Sequence, residues 1–408
     1  MNGCNALRIL FVCQHYWPEQ FQTTDICEEL VRRGHEVTAL VGIPNYPTGV
    51  VPEEYRGGAN RKQIRNGVRI VRAEEVPRRP GIVGLARNYW SYMRGADARL
   101  RDLEGGFDVI FSYQISPVFM SEPAMRAKRR FGAPVFLYCA DIWPDAVMAM
   151  LPSSLGFLMP IFRLISTSIY SGADAIATNS RAYIDCFERV HGIERSRCRY
   201  VPQYASDGYL DMDLSAEPST KTRFMVMGNI GKLQYLRVLM EAVEMLKARD
   251  DFELHVVGTG SAVGELEEFV ASHGLGGHVT FHGRHPVDEM PAFYRMADAC
   301  VLTLHVPGAP WISSTLPSRL QGYMAAGKPV IAAIDGSAAE VIAESGCGAS
   351  VPGTDSAGLA QLMADFMDDR GKYAACGERG RAYFRKNFMR GRYMDEIESL
   401  LFETAKGR

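Results

Sequence analysis

The stretch PSRLQGYMAAGKPVIAAIDG, residues 317–336, constrains the fold more than any other part of the chain. Gly327 can supply the left-handed backbone conformation that helix C-termini favour, and Pro329 prevents the helix from continuing. Val330 to Ile334 is a short apolar run of the kind found in buried parallel strands. The stretch therefore predicts a helix, a tight glycine turn, a buried strand and a glycine loop, in that order.

The segment WISSTL, residues 311–316, stands immediately before this predicted helix. Its hydroxyl groups and backbone N–H groups lie at a helix N-terminus, which is a natural place for an anion to bind. We therefore take Ser313, Ser314, Pro317 and Ser318 as candidate ligands of a phosphate group.

The same alternation of strands and helices runs along the whole chain. Apolar strand patterns occupy residues 8–12, 36–41, 68–72, 108–112, 134–138 and 173–178, and then 224–228, 253–258, 279–283, 299–303 and 330–334. Helical patterns lie between them, such as residues 24–33 and 85–103. Alternating strands and helices predict parallel sheets with right-handed crossovers. The polar, turn-rich residues 206–222 separate the two series and predict a linker between domains 1–205 and 223–389.

The bulk composition excludes several classes of protein. The chain has 408 residues and a formal net charge of -2, which argues against a dedicated nucleic-acid binder. Its nine cysteines form no C-x-x-C pair and no zinc-ligand spacing, so we expect reduced, buried thiols. No signal peptide and no uncharged stretch of transmembrane length is visible. We expect a cytoplasmic protein that is soluble or peripheral on the inner face of the plasma membrane.

Residues 224–234 and 311–336 resemble the retaining, nucleotide-sugar-dependent glycosyltransferases of the GT-B fold, in the family 4-like branch that builds bacterial surface polysaccharides. The resemblance implies an α/β architecture of two Rossmann-like domains whose parallel sheets face a central cleft. It implies an N-terminal acceptor domain, a C-terminal donor domain, and a closing helix, about 390–408, that packs back on the first domain. Neither a cofactor nor a metal ion is expected.

The loop MGNIGKLQ, residues 227–234, follows the first strand of the second domain. In the resembled family this loop contacts the donor diphosphate, and many members carry arginine and lysine where this chain has Asn229 and Gln234. Lys232 and Arg319 are the cations that remain available. The alternative is an ordinary turn with a surface lysine. The candidate donor ligands are Gly228, Asn229, Gly231, Gln234, Gly258, Gly260, Arg284, Ser313, Ser314, Pro317 and Ser318.

Two glutamates that commonly hold the donor in the family are missing, because Ser314 and Gly322 stand at their positions. The run Pro317-Ser318-Arg319 resembles the Pro-Ser-Lys/Arg signature of one branch. Arg319 could bind two oxygens of a diphosphate, since guanidinium groups match that geometry. The alternative is a helix-start arginine that pairs with a nearby acid.

In the first domain, Asp141-Ile142-Trp143-Pro144-Asp145 follows a predicted strand and resembles the Asp-x-Trp-Pro segment of the same branch. Asp141 joins Lys232 and Arg319 as a catalytic candidate, although an N-cap role is equally open to it. Loops rich in aromatic and hydrogen-bonding groups follow the first two strands, although ordinary loop packing would also explain them. The candidate acceptor ligands are His15, Tyr16, Trp17, Glu19, Asn45, Tyr46 and Trp143.

Residues 78–94 mix arginine with tryptophan and tyrosine, and residues 155–170 are strongly apolar. Together they would suit contact with a membrane surface, and each alone would suit a helix packed on the sheet.

The sequence thus predicts a hexosyl- or N-acetylhexosaminyl-transferase. It would move a sugar from a donor, favoured as a UDP-sugar, to a polyprenyl-diphosphate-linked glycan. The alternatives are a UDP-sugar epimerase-like or phosphorylase-like enzyme and a non-catalytic nucleotide-sugar-binding protein.

Overall fold

The computed structural model describes residues 6–145, 153–313 and 315–407, without the side chains of residues 153–155, 312 and 313. The chain divides into two compact units. The first unit comprises Met1–Val201 together with Met394–Arg408, and the second comprises Pro202–Tyr393.

The first unit contains an eight-stranded sheet in the order β3-β4-β2-β1-β5-β6-β7-β8. Its strands are β1 Arg8–Val12, β2 Glu36–Val41, β3 Lys62–Arg65, β4 Val68–Arg72, β5 Val109–Gln114, β6 Val135–Cys139, β7 Ala175–Thr178 and β8 Cys198–Tyr200. Neighbouring strands pair in parallel except that β3 runs antiparallel to β4 at the edge. β1, β2, β5 and β6 are almost wholly buried, as apolar runs of parallel strands predict.

Helices connect these strands. They are α1 Gln22–Arg32, α2 Ile82–Asp102, α3 Glu122–Phe131, α4 Met159–Gly172 and α5 Arg181–His191, and α14 Arg390–Lys406 joins them from the far end of the sequence. Arg33 binds Asp395 and Glu398 of α14 at 2.8 and 2.6 Å, and His35 lies 2.9 Å from Glu398. These ion pairs attach α14, from Met394 onward, to the first unit.

The second unit contains a six-stranded sheet in the order β11-β10-β9-β12-β13-β14, in which all neighbours are parallel. Its strands are β9 Thr222–Met227, β10 Phe252–Val257, β11 Val279–Gly283, β12 Ala299–Leu304, β13 Val330–Ile334 and β14 Gly348–Val351. Its helices are α6 Arg237–Met245, α7 Val263–Ser272, α8 Met290–Met296, α9 Pro310–Ser313, α10 Ser318–Ala325, α11 Gly336–Ser345, α12 Ser356–Asp368 and α13 Cys376–Asn387.

Residues 206–222, which the sequence assigned to a linker, belong to the second unit. Leu210 and Leu214 are buried in one of its hydrophobic clusters, and the N–H of Glu217 donates to the carbonyl of Arg295 at 2.8 Å. The polar composition of the segment hid these two leucines, whose burial attaches it to the domain. Among the described residues, no helix is both long enough and apolar enough to cross a bilayer.

Candidate functional site

Two glycine loops meet at the carboxyl ends of β9 and β10 in the second unit. The N–H of Gly228 donates to the carbonyl of Val257 at 2.9 Å. Both Gly228 and Gly258 have positive φ, +114° and +142°, which favours glycine. A Cβ at Gly258 would lie 1.8 Å from the carbonyl oxygen of Gly228. The structure shows that these glycines let the two loops approach each other, and the expected approach of their backbone to a phosphate stays a prediction.

Gly231 and Gly260 complete this loop pair. The side-chain oxygen of Gln234 accepts a hydrogen bond from the N–H of Gly231 at 2.9 Å. A Cβ at Gly260 would lie 2.4 Å from the carbonyl of Ile230. Gln234 therefore shapes the loop through a contact of its own, and its assignment as a donor ligand stays a prediction.

Arg319 comes from α10, and the structure brings it to the same loop. Its Nη2 donates to the carbonyl of Asn229 at 2.6 Å. The partner of Arg319 is therefore a backbone oxygen and not the nearby acid that the alternative interpretation expected. Its Nη1 is buried and has no hydrogen-bond partner among the described residues. A buried guanidinium nitrogen without a partner is costly, because it has lost water and gained nothing in exchange. Nη1 of Arg319 is thus a donor for which the described residues supply no acceptor.

Helix α10 is anchored at the same place. Pro317 caps its N-terminus with extended backbone, and Ser318 is its first, exposed residue. The N–H of Met227, the last residue of β9, donates to the hydroxyl of Tyr323 at 3.0 Å. Tyr323 is buried, and the sequence analysis did not identify it. A hydroxyl four residues beyond Arg319, on the same face of the helix, was the available signal.

The other predicted donor residues are more open. Lys232 lies in a short 3₁₀ turn, Lys232–Gln234, and is exposed, as is Arg284 in the loop after β11. Ser313 ends α9, but its side chain is not described, and Ser314 lies outside the described residues. Their roles remain predictions.

His305 follows β12 and was also missed by the sequence analysis. Its ring packs on Tyr235 at 5.2 Å between centroids, and its Nδ1 is buried without a partner in the described part of the chain. Nearby in sequence, the Thr303 hydroxyl donates to the carbonyl of Gln234 at 2.6 Å. The segment 229–235 therefore contacts two residues, Arg319 and His305, that each have a buried nitrogen with no partner in the described ranges.

The structure also shows what lies beside Gly322, which stands where the family commonly has a glutamate. A Cβ at Gly322 would lie only 3.1 Å from the hydroxyl of Tyr294, so this tyrosine occupies the space beside the helix. Burial raises the pKa of Tyr294 well above its ordinary value, so the hydroxyl stays neutral. Lys328, in the Gly-Lys-Pro-Val segment, is buried and donates to the carbonyl of Ala297 at 2.8 Å.

In the first unit, four of the predicted acceptor residues form one cluster beyond β1 and β2. The Glu19 carboxylate accepts hydrogen bonds from the N–H groups of Asn45 and Tyr46, both at 2.7 Å. It also lies 2.6 Å from Nδ1 of His15. The His15 ring stacks on Phe21 at 4.7 Å between centroids and meets the edge of Tyr46 at 5.2 Å.

Glu75, a residue absent from the sequence-based assignment, extends this cluster. Its carboxyl group accepts hydrogen bonds from the side-chain amides of Gln14, at 2.9 Å, and of Asn45. Gln14 also donates to Asn88 of α2 at 2.9 Å. Burial raises the pKa of Glu75 well above its ordinary value, and the charge of Glu19 acts in the same direction. The position of Glu75 three residues past β4 was the only signal in the sequence.

Tyr16 and Trp17 sit beside this cluster. Tyr16 is buried in the core, at 1% exposure, so the structure gives it a packing role instead of the expected contact with acceptor. Trp17 is 39% exposed, and the guanidinium of Arg65 lies over its ring at 3.7 Å.

Asp141 and Trp143 follow β6. One oxygen of Asp141 accepts from the N–H of Ser116 at 3.1 Å, and burial raises the pKa of this carboxyl group. Trp143 is 4% exposed and its Nε1 donates to the hydroxyl of Ser116 at 3.1 Å. The expectation that this indole offers a flat face to a sugar is therefore wrong in this conformation, because Phe119 and Phe162 pack against it.

Comparison with protein families assigns each unit. A model described as "Glycosyl transferase 4-like domain" matches residues 20–203, and one described as "Glycosyl transferases group 1" matches residues 211–383. The chain belongs to the glycosyltransferases. The family predicted from residues 224–234 and 311–336 is thereby confirmed.

Similar proteins include other sugar transferases. A GDP-mannose-dependent alpha-(1-6)-phosphatidylinositol monomannoside mannosyltransferase of Mycobacterium tuberculosis is 25% identical over 235 residues, 55% of this chain and 61% of that protein. The chain thus spans less than two thirds of that relative. The putative colanic acid biosynthesis glycosyl transferase WcaI of Escherichia coli is 25% identical over 345 residues, 79% of this chain and 82% of that protein.

Solved structures share the fold. A sucrose-phosphate synthase from Thermosynechococcus elongatus superposes with a TM-score of 0.75 at 16% identity, covering 98% of this chain and all of that one. HepE of Anabaena, solved in complex with UDP, superposes with a TM-score of 0.70 at 16% identity, covering 97% of this chain and 100% of that chain. The predicted GT-B fold class is confirmed.

Proposed function

We propose that this protein transfers a sugar, with retention of configuration, from a nucleoside-diphosphate donor to a hydroxyl of a lipid-linked saccharide. The observation that carries the proposal is the buried Nη1 of Arg319, which lacks a partner among the described residues while Nη2 of the same group donates to the carbonyl of Asn229. An anionic oxygen is the acceptor that such a nitrogen favours most, because charge-assisted hydrogen bonds are the strong ones.

In the proposed reaction, the acceptor oxygen bonds to the anomeric carbon as the bond from that carbon to the diphosphate breaks. The hydroxyl proton leaves with the departing diphosphate. Arg319 stabilises the charge that develops on this leaving group, helped by Lys232 and by the N–H groups at the start of α10. Asp141 remains a further catalytic candidate.

We expect the reaction to proceed without a metal ion, since two cations are available to the diphosphate. Activity should survive treatment with EDTA followed by desalting. A strict requirement for magnesium or manganese would contradict this expectation.

A binding screen can identify the nucleotide base of the donor. The sequence favoured a UDP-sugar, and HepE was solved with UDP, whereas the mycobacterial relatives are named as GDP-mannose-dependent. A thermal-shift screen against UDP, GDP and ADP and their sugars separates these donors, because a ligand that binds only the folded state raises its stability. We expect UDP and UDP-sugars to give the largest shift.

The variant Arg319→Ala tests the proposal itself. Removing a charged donor to a partly desolvated phosphate should weaken nucleotide binding by about 2 kcal/mol and lower turnover in the same variant. Arg319→Lys should recover part of the loss, since it keeps the charge but not the planar fork. Isothermal titration with the nucleotide and release of nucleoside diphosphate measure the two effects.

Arg381→Ala is the matched control. Arg381 also donates to backbone carbonyls of the α10 segment, those of Ala325 and Ala326, but at its C-terminal end. It should keep donor affinity even if stability falls. Equal donor affinity in Arg319→Ala and the wild type would contradict the assignment. Nucleotide release that needs no glycan would favour the epimerase-like alternative, whereas tight donor binding that no acceptor turns over would favour the binding-protein alternative.

The lipid-linked acceptor leads us to propose peripheral contact with a membrane through the first unit. On α2, Val83 is 82% exposed and Trp90 is 61% exposed, and near α4 Phe157 and Leu164 are 71% and 72% exposed. Apolar and aromatic side chains beside arginines are what a helix face lying in a membrane interface presents. Trp90 and Arg94, together with Arg101 and Arg126, border a groove of about 380 Å³.

The charge reversals Arg87→Glu and Arg94→Glu test this contact. Basic residues near an anionic membrane contribute about 1 kcal/mol each, so cosedimentation with phosphatidylglycerol vesicles should fall and should be salt-sensitive. Arg385→Glu with Lys386→Glu makes the same charge change in the second unit and should leave binding unchanged. Wild-type protein that ignores such vesicles at low salt would remove this part of the proposal.

A further inference from the structure

Glu19 could either bind a sugar hydroxyl or position its neighbours, and the sequence could not distinguish these two roles. Its hydrogen bonds separate them. One carboxylate oxygen accepts from two backbone N–H groups, those of Asn45 and Tyr46, and the other lies 2.6 Å from Nδ1 of His15. The side chain of Glu19 is only 5% exposed. A carboxylate committed in this way has little capacity left for a sugar hydroxyl, so it positions its neighbours.

The same contacts indicate that Nδ1 of His15 carries a proton. An ionised carboxylate only accepts hydrogen bonds, so Nδ1 carries the ring proton that it receives. Phe21 stacks on one side of the ring and Tyr46 meets it edge-on, which restricts its rotation. The other nitrogen, Nε2, has no hydrogen-bond partner among the described residues, and 7% of the side chain is exposed. In a neutral ring this nitrogen is a hydrogen-bond acceptor held in a fixed orientation.

We propose that Nε2 of His15 accepts a hydrogen bond from a hydroxyl of the acceptor saccharide, and that Glu19 is a positioning residue that sets the tautomer of His15. The inference rests on the proposed transferase function and assigns the acceptor side of it. A sugar hydroxyl is the class of ligand that fits, because it can donate to a neutral imidazole nitrogen without bringing charge into the cluster.

Glu19→Gln tests the tautomer without removing volume. The amide oxygen can still accept from the two backbone N–H groups, but the amide nitrogen must then donate to Nδ1. The ring proton would move to Nε2, which would become a donor and lose its capacity to accept. We expect the kcat/KM for acceptor to fall by about tenfold or more, mainly through KM, with nucleotide affinity unchanged.

The probe is a panel of phenoxyundecyl-diphosphate-linked glucose, galactose and N-acetylglucosamine. His15→Asn should lose as much as Glu19→Gln, and the double variant should lose no more than either, because both changes remove one contact. The ¹⁵N spectrum of His15 should show the proton on Nδ1 in the wild type and on Nε2 in Glu19→Gln. A purely structural role for Glu19 would not exchange these signals.

His35→Gln is the matched control, because His35 forms a similar pair with Glu398 ahead of β2, at the opposite end of the strand. It should keep the acceptor KM whatever it costs in stability. Wild-type kinetics in Glu19→Gln, or a wild-type proton on Nε2, would overturn this inference and leave the transferase intact. Wild-type protein that binds no nucleotide and transfers to no member of the panel would overturn the proposed function and this inference with it.

Discussion

Around the loop 229–235 of the second unit, Arg319 and His305 each keep a buried nitrogen without a partner in the described residues. Around β1 and β2 of the first unit, Glu19 and Glu75 are instead bonded to neighbouring amides. The difference matches the ligands proposed for each. A diphosphate is a strong ligand that can compensate for an open cation, whereas a sugar hydroxyl is a weak one and needs a site whose geometry is already fixed.

The largest expected effect tests how the paired glycine loops after β9 and β10 are built. In Gly258→Ala, the new Cβ would overlap the carbonyl of Gly228, and the backbone would have to keep a φ of +142°. We expect a loss of several kcal/mol in the stability of the second unit, because both terms are unfavourable. Thermal unfolding by circular dichroism measures it.

Gly264→Ala is the control for this change. Gly264 lies in α7, where nothing would come within 4 Å of a Cβ. Alanine is the better helix former, so stability should hold or rise slightly. Equal melting temperatures for the two variants would show that the loop pair tolerates a side chain, and the account of its glycines would be wrong.

The next effect tests the hydrogen-bonded cluster around Glu19 and Glu75 in the first unit. Because the pKa of Glu75 is raised in the folded protein, its contribution to stability is complete below about pH 4.3, its ordinary value, and is lost as the pH rises toward the folded pKa. The stability of the wild type relative to Glu75→Gln should therefore fall above pH 4.3, by at most about 1.4 kcal/mol per pH unit. Urea denaturation between pH 4 and 8 gives the slope.

Glu74, the residue next to Glu75, should show the opposite pH dependence of stability. Arg61 lowers the pKa of Glu74, so the contribution of Glu74 is present above its ordinary value and is lost as the pH falls through the folded pKa. The difference in stability between Glu74→Gln and the wild type should thus be largest at neutral pH and smallest in acid. Parallel slopes for the two variants would mean that the cluster does not hold Glu75 protonated.

The smallest effect sharpens the contrast within the second unit. Lys232 is exposed, so Lys232→Ala should leave the melting temperature unchanged and weaken nucleotide binding by no more than about 1 kcal/mol. Titration calorimetry beside Arg319→Ala ranks the two cations. A loss as large as that of Arg319→Ala would show that burial of the guanidinium is not what distinguishes them.

Much of the fold was predictable, because buried parallel strands are visible as apolar runs. β1, β2, β4, β11 and β13 begin and end where the sequence placed them. The three strands that were missed are Lys62–Arg65, Cys198–Tyr200 and Gly348–Val351, and each lies at an edge of its sheet. These three edge strands have only three or four residues and are largely half or fully exposed, so they lack the hydrophobic signal of central strands, whereas the longer edge strand β11 was found.

The site was predictable only in part. Spacing along the chain placed Arg319 and the loop after β9 in one candidate site, and their contact at 2.6 Å follows from parallel strands ending at one edge. It could not show that Trp143 is enclosed by aromatic side chains from other elements. Nor could it find Glu75, because a lone glutamate after a strand has no pattern that separates it from a solvent-exposed one.

The attachment of α14 to Arg33 and His35 has a consequence for synthesis on the ribosome. The segment from Met394 completes a unit that begins at the N-terminus, and the whole of the second unit is translated between the two parts. While residues 202–393 emerge, the strands of the first unit lack the carboxylates of Asp395 and Glu398. The nascent first unit therefore waits for about 190 further residues, roughly 10 to 40 seconds of translation, before its last helix can dock.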